Sequence, residues 1–522
     1  MVSRSVHAIA ALLLVSCSTA APPSRDPFGP SLESARQNAP QIFNAIHNAM
    51  RQFGSSLHHN GMSFFPATIP AGTMLYHGAT TPKIPDTLEW LAFEVEHAEN
   101  FARGYRRPNQ TRGFAQSQEN GQRPLQNWAH SEKEEYVTFR SSSMAHVFDD
   151  GWHGNEPAWE PGYFHIYQAV RPLNVLYLDG MAAGKTNMGT NDAEDFILSS
   201  NKSRGGYEDY IRAADLCTWS KQWGVDGLIR MEPGFEVIYC DFHDGGLLQV
   251  AANRRGPIDG SKEYLIFKMF EWIQAASKRY RGIGGNRVQV DYSSMVSAFF
   301  YPVNLTNPNA TRSEHPRLVF ATESELAAIK GHVERTVIRS WEGVKSAVDW
   351  QGVTDMIVTR YSDRLSLMAA TKSIKDMKLL LSHLLDGYIH RQDDGFDLHA
   401  AQQRCRRHYL DGFAPVTPEE NLMHAGIDST AKLICETLFE AHALVVENPS
   451  ADESSVQTAV RMAQDLMDTL RWPEWKLCGA CQVDEVCFVA MWPFGNVEDH
   501  YSPSCQNATT AFARNSYWRY NW

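Results

Sequence analysis

Gly72-Thr-Met-Leu-Tyr-His-Gly78, with Glu89-Trp-Leu-Ala-Phe93 soon after it, is one half of the pattern that decides how this chain is read. The other half lies far downstream, in Trp223-Gly-Val-Asp-Gly-Leu-Ile-Arg230 and Gly234-Phe-Glu-Val-Ile-Tyr-Cys-Asp241. Short runs rich in aromatic and β-branched residues, bounded by glycine, predict strands. Each presents one polar side chain at a defined point, His77 in the first and Glu236 in the second. Between them, Tyr163 to Leu178 reads as two strands broken at Arg171-Pro172, because proline cannot donate to a ladder. Tyr207 to Trp223 has helical spacing, and Glu232-Pro-Gly234 reads as a turn.

Working outward, Ile42, Ile46, Met50 and Phe53 predict one amphipathic helix from Gln41 to His58. A strand is expected around Phe64-Phe-Pro66, and Glu89 to Ala102 is helical in pattern. Residues 103–131 form a polar insertion with the composition of a surface loop. Beyond about residue 255 the pattern changes. Tyr264–Arg281, Glu323–Val348, Gln351–Ile389, Asp397–Leu410, Pro418–Val446 and Ser454–Leu470 all space Leu, Ile, Met and Ala three to four apart. Thr417-Pro-Glu-Glu420 and Ser454 supply start signals. The expected architecture is α+β up to residue 255, then an all-α helical domain over 256–470, then a Cys- and Trp-rich, disulfide-rich tail over 471–522. Tyr301 to Pro316, with Pro302 and Pro308, is the candidate linker. A chain of 522 residues is long enough for two or three such units.

The compartment is read from the N-terminus and the cysteines. Arg4, the apolar run Ala8 to Val15 and the small residues Ser18-Thr-Ala20 have the layout of a signal peptide over residues 1–20. The C-terminal Asn515–Trp522 is polar and aromatic, which speaks against a GPI signal. Sequons at Asn109, Asn201, Asn304, Asn309 and Asn507 imply N-glycans on a secreted, extracellular protein. Of nine cysteines, Cys17 falls in the leader; the rest make an even set, as disulfides require. The expected solution joins Cys405 to Cys435 and staples the tail cysteines Cys478, Cys481, Cys487 and Cys505 to one another. Zinc at Cys478, Cys481, Cys487 and Cys505, with His500 as an extra ligand, is the alternative. A net charge of −12 argues against nucleic acid, which demands a basic face. No window reaches 18 uninterrupted apolar residues, so no membrane span is expected.

The two opening segments resemble the His-Tyr-Glu type of ADP-ribosyltransferase. Leu75-Tyr-His-Gly78 is similar to its His-Gly strand, Glu89-Trp-Leu-Ala-Phe93 to its second motif, and Phe235-Glu-Val-Ile-Tyr-Cys-Asp241 to its third. The resemblance covers roughly residues 70–245, and the chain as a whole resembles a group of secreted fungal proteins. It implies an ADP-ribosyltransferase-like split sheet over 41–255 and a site for NAD. His77 would hold the adenosine ribose beside Gly78, Trp90 would pack on nicotinamide, and Glu236 would be the catalytic carboxylate. Trp90 stands where the family has tyrosine, which keeps stacking and loses a hydroxyl. The physical need for an anion is clear: nicotinamide leaves through a cationic, oxocarbenium-like state that a carboxylate stabilises. The implied activity is ADP-ribosyl transfer to a protein or small-molecule acceptor, or NAD hydrolysis. The alternative is a non-catalytic secreted or cell-wall-associated protein with a degenerate fold of this kind.

Blander readings stand beside these. Glu236 between Phe235 and Val237 alternates as a solvated residue would, and Trp90 fits a core. Gly180-Met-Ala-Ala-Gly-Lys-Thr186 mimics a phosphate loop but is one residue short between its glycines. Asn191-Asp-Ala-Glu-Asp195 would line a groove or cap a helix. His153 and His165 lack the His-x3-His spacing that would support a metal, and Gly151–Trp159 suits sugar stacking less well than packing. A carbohydrate-active enzyme would need two facing carboxylates. No Gly-x-Ser-x-Gly elbow exists, which argues against an ordinary serine hydrolase.

Overall fold

The computed structural model describes residues 28–106, 158–204, 208–257, 261–343, 346–393, 395–512, 514 and 516–518. The leader, the sequon at Asn109, His153 and most of the 103–131 insertion lie outside the described residues, as does most of the Gly151–Trp159 stretch.

The protein is α+β, with a large N-terminal sheet and a helical C-terminal region. In chain order the strands are β1 (Ser63–Ile69), β2 (Met74–Ala79), β3 (Glu89–Ala92), β4 (Arg103–Arg106), β5 (Ala158–Pro161), β6 (Tyr163–Ala169) and β7 (Leu173–Leu178). They continue with β8 (Gly227–Glu232), β9 (Gly234–Tyr239), β10 (Leu247–Arg254), β11 (Gln289–Val290) and β12 (Val296–Ser297). The main sheet runs β10-β6-β2-β3-β9-β8-β7-β1-β11, with β12 also on β1, while β4 and β5 pair separately. Among the described residues only β7 and β8 pair in parallel, joined by the crossover that contains the helix Asp209–Ser220. Buried on both faces, β8 and β9 read as near-continuous apolar runs.

Several expected boundaries moved for identifiable reasons. Gln41–His58 is two helices, Ala39–Asn48 and Gln52–Leu57. Met50 between them takes a left-handed φ of 56°, and its N–H donates to Tyr177 Oη at 3.1 Å, a tertiary bond that local spacing cannot foresee. Glu89–Ala102 is strand β3 followed by the short helix Val95–Glu99, and the loop expected from 103 opens with β4. Gln351–Ile389 divides into Trp350–Ala370 and Ile374–Leu385, the second capped by Ser373. Asp452, not Ser454, caps the helix Glu453–Leu470. The helix start expected at Thr417 is present and takes the form of a capping box: its hydroxyl accepts from Glu420 N, and the Glu420 carboxylate accepts from Thr417 N.

One continuous apolar core reaches from Ala35 to Trp518 and includes both sheet and helical residues. The helix Ala39–Asn48 packs on Pro418–Val445 so closely that a Cβ at Gly426 would sit 2.8 Å from Ile42 Cγ2. The eight cysteines among the described residues form four disulfides: Cys217–Cys240, Cys405–Cys435, Cys478–Cys487 and Cys481–Cys505. Such pairs suit an oxidising compartment. They also consume the thiolates that a zinc site in the tail would need. Among the described residues no helix is long and apolar enough to cross a membrane.

Candidate functional site

The strands that carry the candidate residues lie side by side as β2-β3-β9. Tyr76 is opposite Ala92, Ala92 is opposite Glu236, and Glu236 is opposite Arg230 on β8. Directly opposed residues share a face, and neighbours in sequence alternate. Tyr76, Ala92, Glu236 and Arg230 therefore point one way, and Trp90 points with them. His77, one residue beyond Tyr76, points the other way.

Its surroundings agree. His77 is opposite His165, its ring 5.6 Å away, and also neighbours Phe242 at 6.4 Å. Its Nδ1 lies 2.8 Å from the Trp90 carbonyl oxygen on the neighbouring strand. Gly78 admits the helix Val95–Glu99: a Cβ there would fall far inside contact distance of Ala98 O and Ala102 N. Trp90 meets Tyr210 edge-on at 4.6 Å, and Tyr210 Oη donates to Glu89 Oε1 at 2.8 Å.

Glu236 itself is buried, 5% exposed, instead of solvated. Arg230, wholly buried, organises the groups around it. Its Nε donates to Glu236 Oε1 at 2.8 Å, Nη2 to Asp209 Oδ2 at 3.0 Å and Nη1 to Glu194 Oε2 at 3.3 Å. Lys185 Nζ reaches Asp209 Oδ2 and Glu232 Oε2, each at 3.4 Å. Arg212 grips Asp195 with Nε and Nη2, at 2.8 and 2.9 Å. The imidazole that does stand with Glu236 is His97. Its Nε2 is 3.3 Å from Glu232 Oε1, and its ring stacks on Trp272 at 4.8 Å.

These contacts set the protonation tendencies. Burial pushes Glu236 up, against the pull of Arg230. Burial also acts on Glu232, but Lys185 and His97 outweigh it and hold that carboxyl below its usual range. Glu194 is pushed up to about 7 by burial, despite Arg230 and Arg212. Asp209 is desolvated too, yet Arg230 and Lys185 draw it well below the usual range. Two glutamates held at different protonation tendencies are a feature of acid–base sites. Interlocked buried ion pairs perturb carboxyls in the same way for purely structural reasons. His97, Glu232 and Glu236 also bring ligand-type atoms within 4.8 Å of one another. A metal ion there would compete with Lys185 and Arg230, which already neutralise those carboxylates.

Residues 33–254 match the family model of the YPL277C N-terminal domain. The matched span starts inside the helix Leu32–Gln37 and ends on the last residue of β10, so it contains the strands of the site. Two similar proteins come from Saccharomyces cerevisiae. "Uncharacterized protein YOR389W" is 23% identical over 554 residues, 88% of this chain and 83% of the relative. "Uncharacterized protein YPL277C" is 33% identical over 229 residues, 39% of this chain and 41% of the relative. These matches say what the chain is similar to, and they carry no relationship to ADP-ribosyltransferases. No solved structure matches it.

Within the matched span, sequence reasoning missed Lys185, Glu194, Asp209 and His97 as partners of Glu236. Arg230 carried a readable signal, being an arginine between Ile229 and Met231 on a strand apolar at nearly every other position. The Gly180–Thr186 segment is no phosphate loop, since its Lys185 is committed to carboxylates. Asn191–Asp195 leads into a short π-helix, Ala193–Leu198, and supplies anions to the interior: Asp192 holds Arg317 at 2.8 Å, while Glu194 and Asp195 face Arg230 and Arg212. His165 is built into the sheet, with Nε2 2.8 Å from Thr81 O and Nδ1 3.0 Å from Tyr167 Oη.

Proposed function

We propose that this is an exported, N-glycosylated, disulfide-stapled protein whose N-terminal sheet is a degenerate ADP-ribosyltransferase-like fold acting without NAD cleavage. Two linked observations carry the reading. Glu236 is closed into a buried ion network by Arg230, and His77 lies on the opposite face of the sheet. A transition-state carboxylate has to meet its substrate, whereas this one is sequestered beside a guanidinium. His77, Gly78 and Trp90 then serve as packing residues at the β2–β3 junction. The four disulfides and the sequon at exposed Asn304 favour an extracellular setting.

A second reading retains NAD as substrate. It draws on the adjacency of β2, β3 and β9, and on Trp90 and Glu236 sharing a face. Nicotinamide would then lie against Trp90, with Glu236 beneath it.

Equilibrium binding of NAD to the purified chain, together with nicotinamide release, separates the two. The first reading expects no saturable binding and no release. Release that vanishes in a folded Glu236→Gln variant overturns it.

A further inference from the structure

His59, His315 and His500 come from three distant parts of the chain and meet in the interior. His59 follows the helix Gln52–Leu57, His315 ends the 301–316 connection, and His500 lies in the short helix Val497–Tyr501 of the tail. Their exposures are 0%, 3% and 1%, and one ligand-type nitrogen from each lies within 4.8 Å of the others. The rings are gathered closely, His59 and His315 at 3.9 Å and His315 and His500 at 5.0 Å between centroids.

The proton on His59 is placed by its neighbours. Asn60 Nδ2 donates to the carbonyls of Met188 and Pro316, at 2.8 and 3.1 Å, so its Oδ1 must face His59. His59 Nδ1, 2.6 Å from that oxygen, therefore carries the hydrogen and donates. This leaves the Nε2 lone pair aimed inward at Tyr517 Oη, 2.8 Å away. His315 Nε2 reaches the same hydroxyl at 3.3 Å. His500 stacks on the Tyr517 ring at 4.8 Å, and its Nδ1 is buried with no hydrogen-bond partner among the described residues. A buried unsatisfied nitrogen asks for an explanation.

We infer that His59, His315 and His500 form a three-imidazole binding site for one borderline transition-metal ion of the Zn2+ type, with the Tyr517 hydroxyl at the fourth position. Nitrogens about 2.0–2.1 Å from a tetrahedral ion stand roughly 3.3 Å apart, so donors now within 4.8 Å of one another close in by up to about 1.5 Å. An orienting hydrogen bond on the outer nitrogen, here to Asn60, is the usual support for a ligating histidine.

The surrounding charge selects the class of ion. Arg312 lies over the Tyr517 ring at 4.3 Å, Lys476 donates to His500 O at 3.3 Å, and Glu314 is the carboxylate close by, 3.4 Å from His315 Nε2. Calcium and magnesium need several oxygen anions, which are absent from this donor set. A metal with strong affinity for imidazole fits it. Bound there, the ion would tie the start of the sheet, the 301–316 connection and the tail together.

The test is titration of the untagged, full-length, chelator-treated protein with Zn2+ by calorimetry and with Co2+ by visible absorption. The expected results are one ion per chain, an intense tetrahedral Co2+ band and a higher unfolding midpoint. His500→Ala should abolish the band, Asn60→Ala should weaken binding about 10–100-fold, and His243→Ala, at an exposed histidine, should change nothing. Absence of stoichiometric binding by the native chain, or binding that persists in a folded His500→Ala variant, overturns the assignment. If His500→Ala fails to fold, the native Co2+ spectrum decides: no tetrahedral band means no such site.

Discussion

Arg230 Nε donates to Glu236 Oε1 at 2.8 Å across the β8–β9 ladder, and both side chains are buried. The guanidinium also serves Asp209 and Glu194, so it cannot leave without stranding several buried anions. Removing one partner of a buried pair costs about 3–5 kcal/mol, because the other charge is left uncompensated. Arg230→Met should lower stability by about that amount in denaturant titration. The Arg230→Met/Glu236→Gln double variant should be less unstable than the sum of its singles. Strict additivity would mean that the two residues do not act as a pair.

Gly78 is a packing position in this account. A methyl group there collides with the Ala98 carbonyl and Ala102 nitrogen, which are backbone atoms that cannot step aside. Gly78→Ala should cost about 1–3 kcal/mol, the range for overpacking. A neutral result in a melting experiment would show that the helix Val95–Glu99 does not rest on this strand.

The three buried histidines give stability a defined pH dependence. In the chelator-treated, metal-free chain their folded pKa values are depressed below 6.5, so their contribution is fully present above pH 6.5 and is lost as pH falls toward the folded values. Each adds a slope approaching about 1.4 kcal/mol per pH unit below 6.5. Glu194 works in the opposite sense. Raised to about 7, it favours the folded state below its unfolded value near 4.5, and that contribution is lost as pH rises through 7. Denaturant midpoints between pH 7.5 and 5.5 should therefore fall more steeply on acidification in Glu194→Gln than in the parent chain. An unchanged slope would remove Glu194 from the account.

Cys405 and Cys435 bridge the helices Leu398–Arg407 and Pro418–Val445 and close a loop of separation 30. Replacing both by serine should cost about 2–4 kcal/mol. Reductant should lower the melting temperature of the parent chain, and the pair variant should respond less to it.

Much of this architecture was legible because local signals and tertiary context agree. The break at Arg171-Pro172, the turn before Gly234 with its φ of 90°, and the Thr417 capping box each have a local cause that survives folding. Four features were not legible, for three physical reasons. The face of His77 depends on the Tyr76–Ala92 register, and a slip of one residue would invert it. The interruption at Met50 depends on a hydroxyl from Tyr177. Lys185, Glu194 and Asp209 near Glu236, and the histidines that meet at Tyr517, come from segments too far apart for any spacing rule to join.

The most direct test of the central proposal is nicotinamide release from NAD by the purified, disulfide-intact chain, measured beside a Glu236→Gln variant whose folding is checked by circular dichroism. Neither protein should release nicotinamide above the uncatalysed rate, and the variant should melt at a lower temperature. Clear release by the parent chain, lost in a variant that still folds, would contradict the proposal and return Glu236 to a catalytic role.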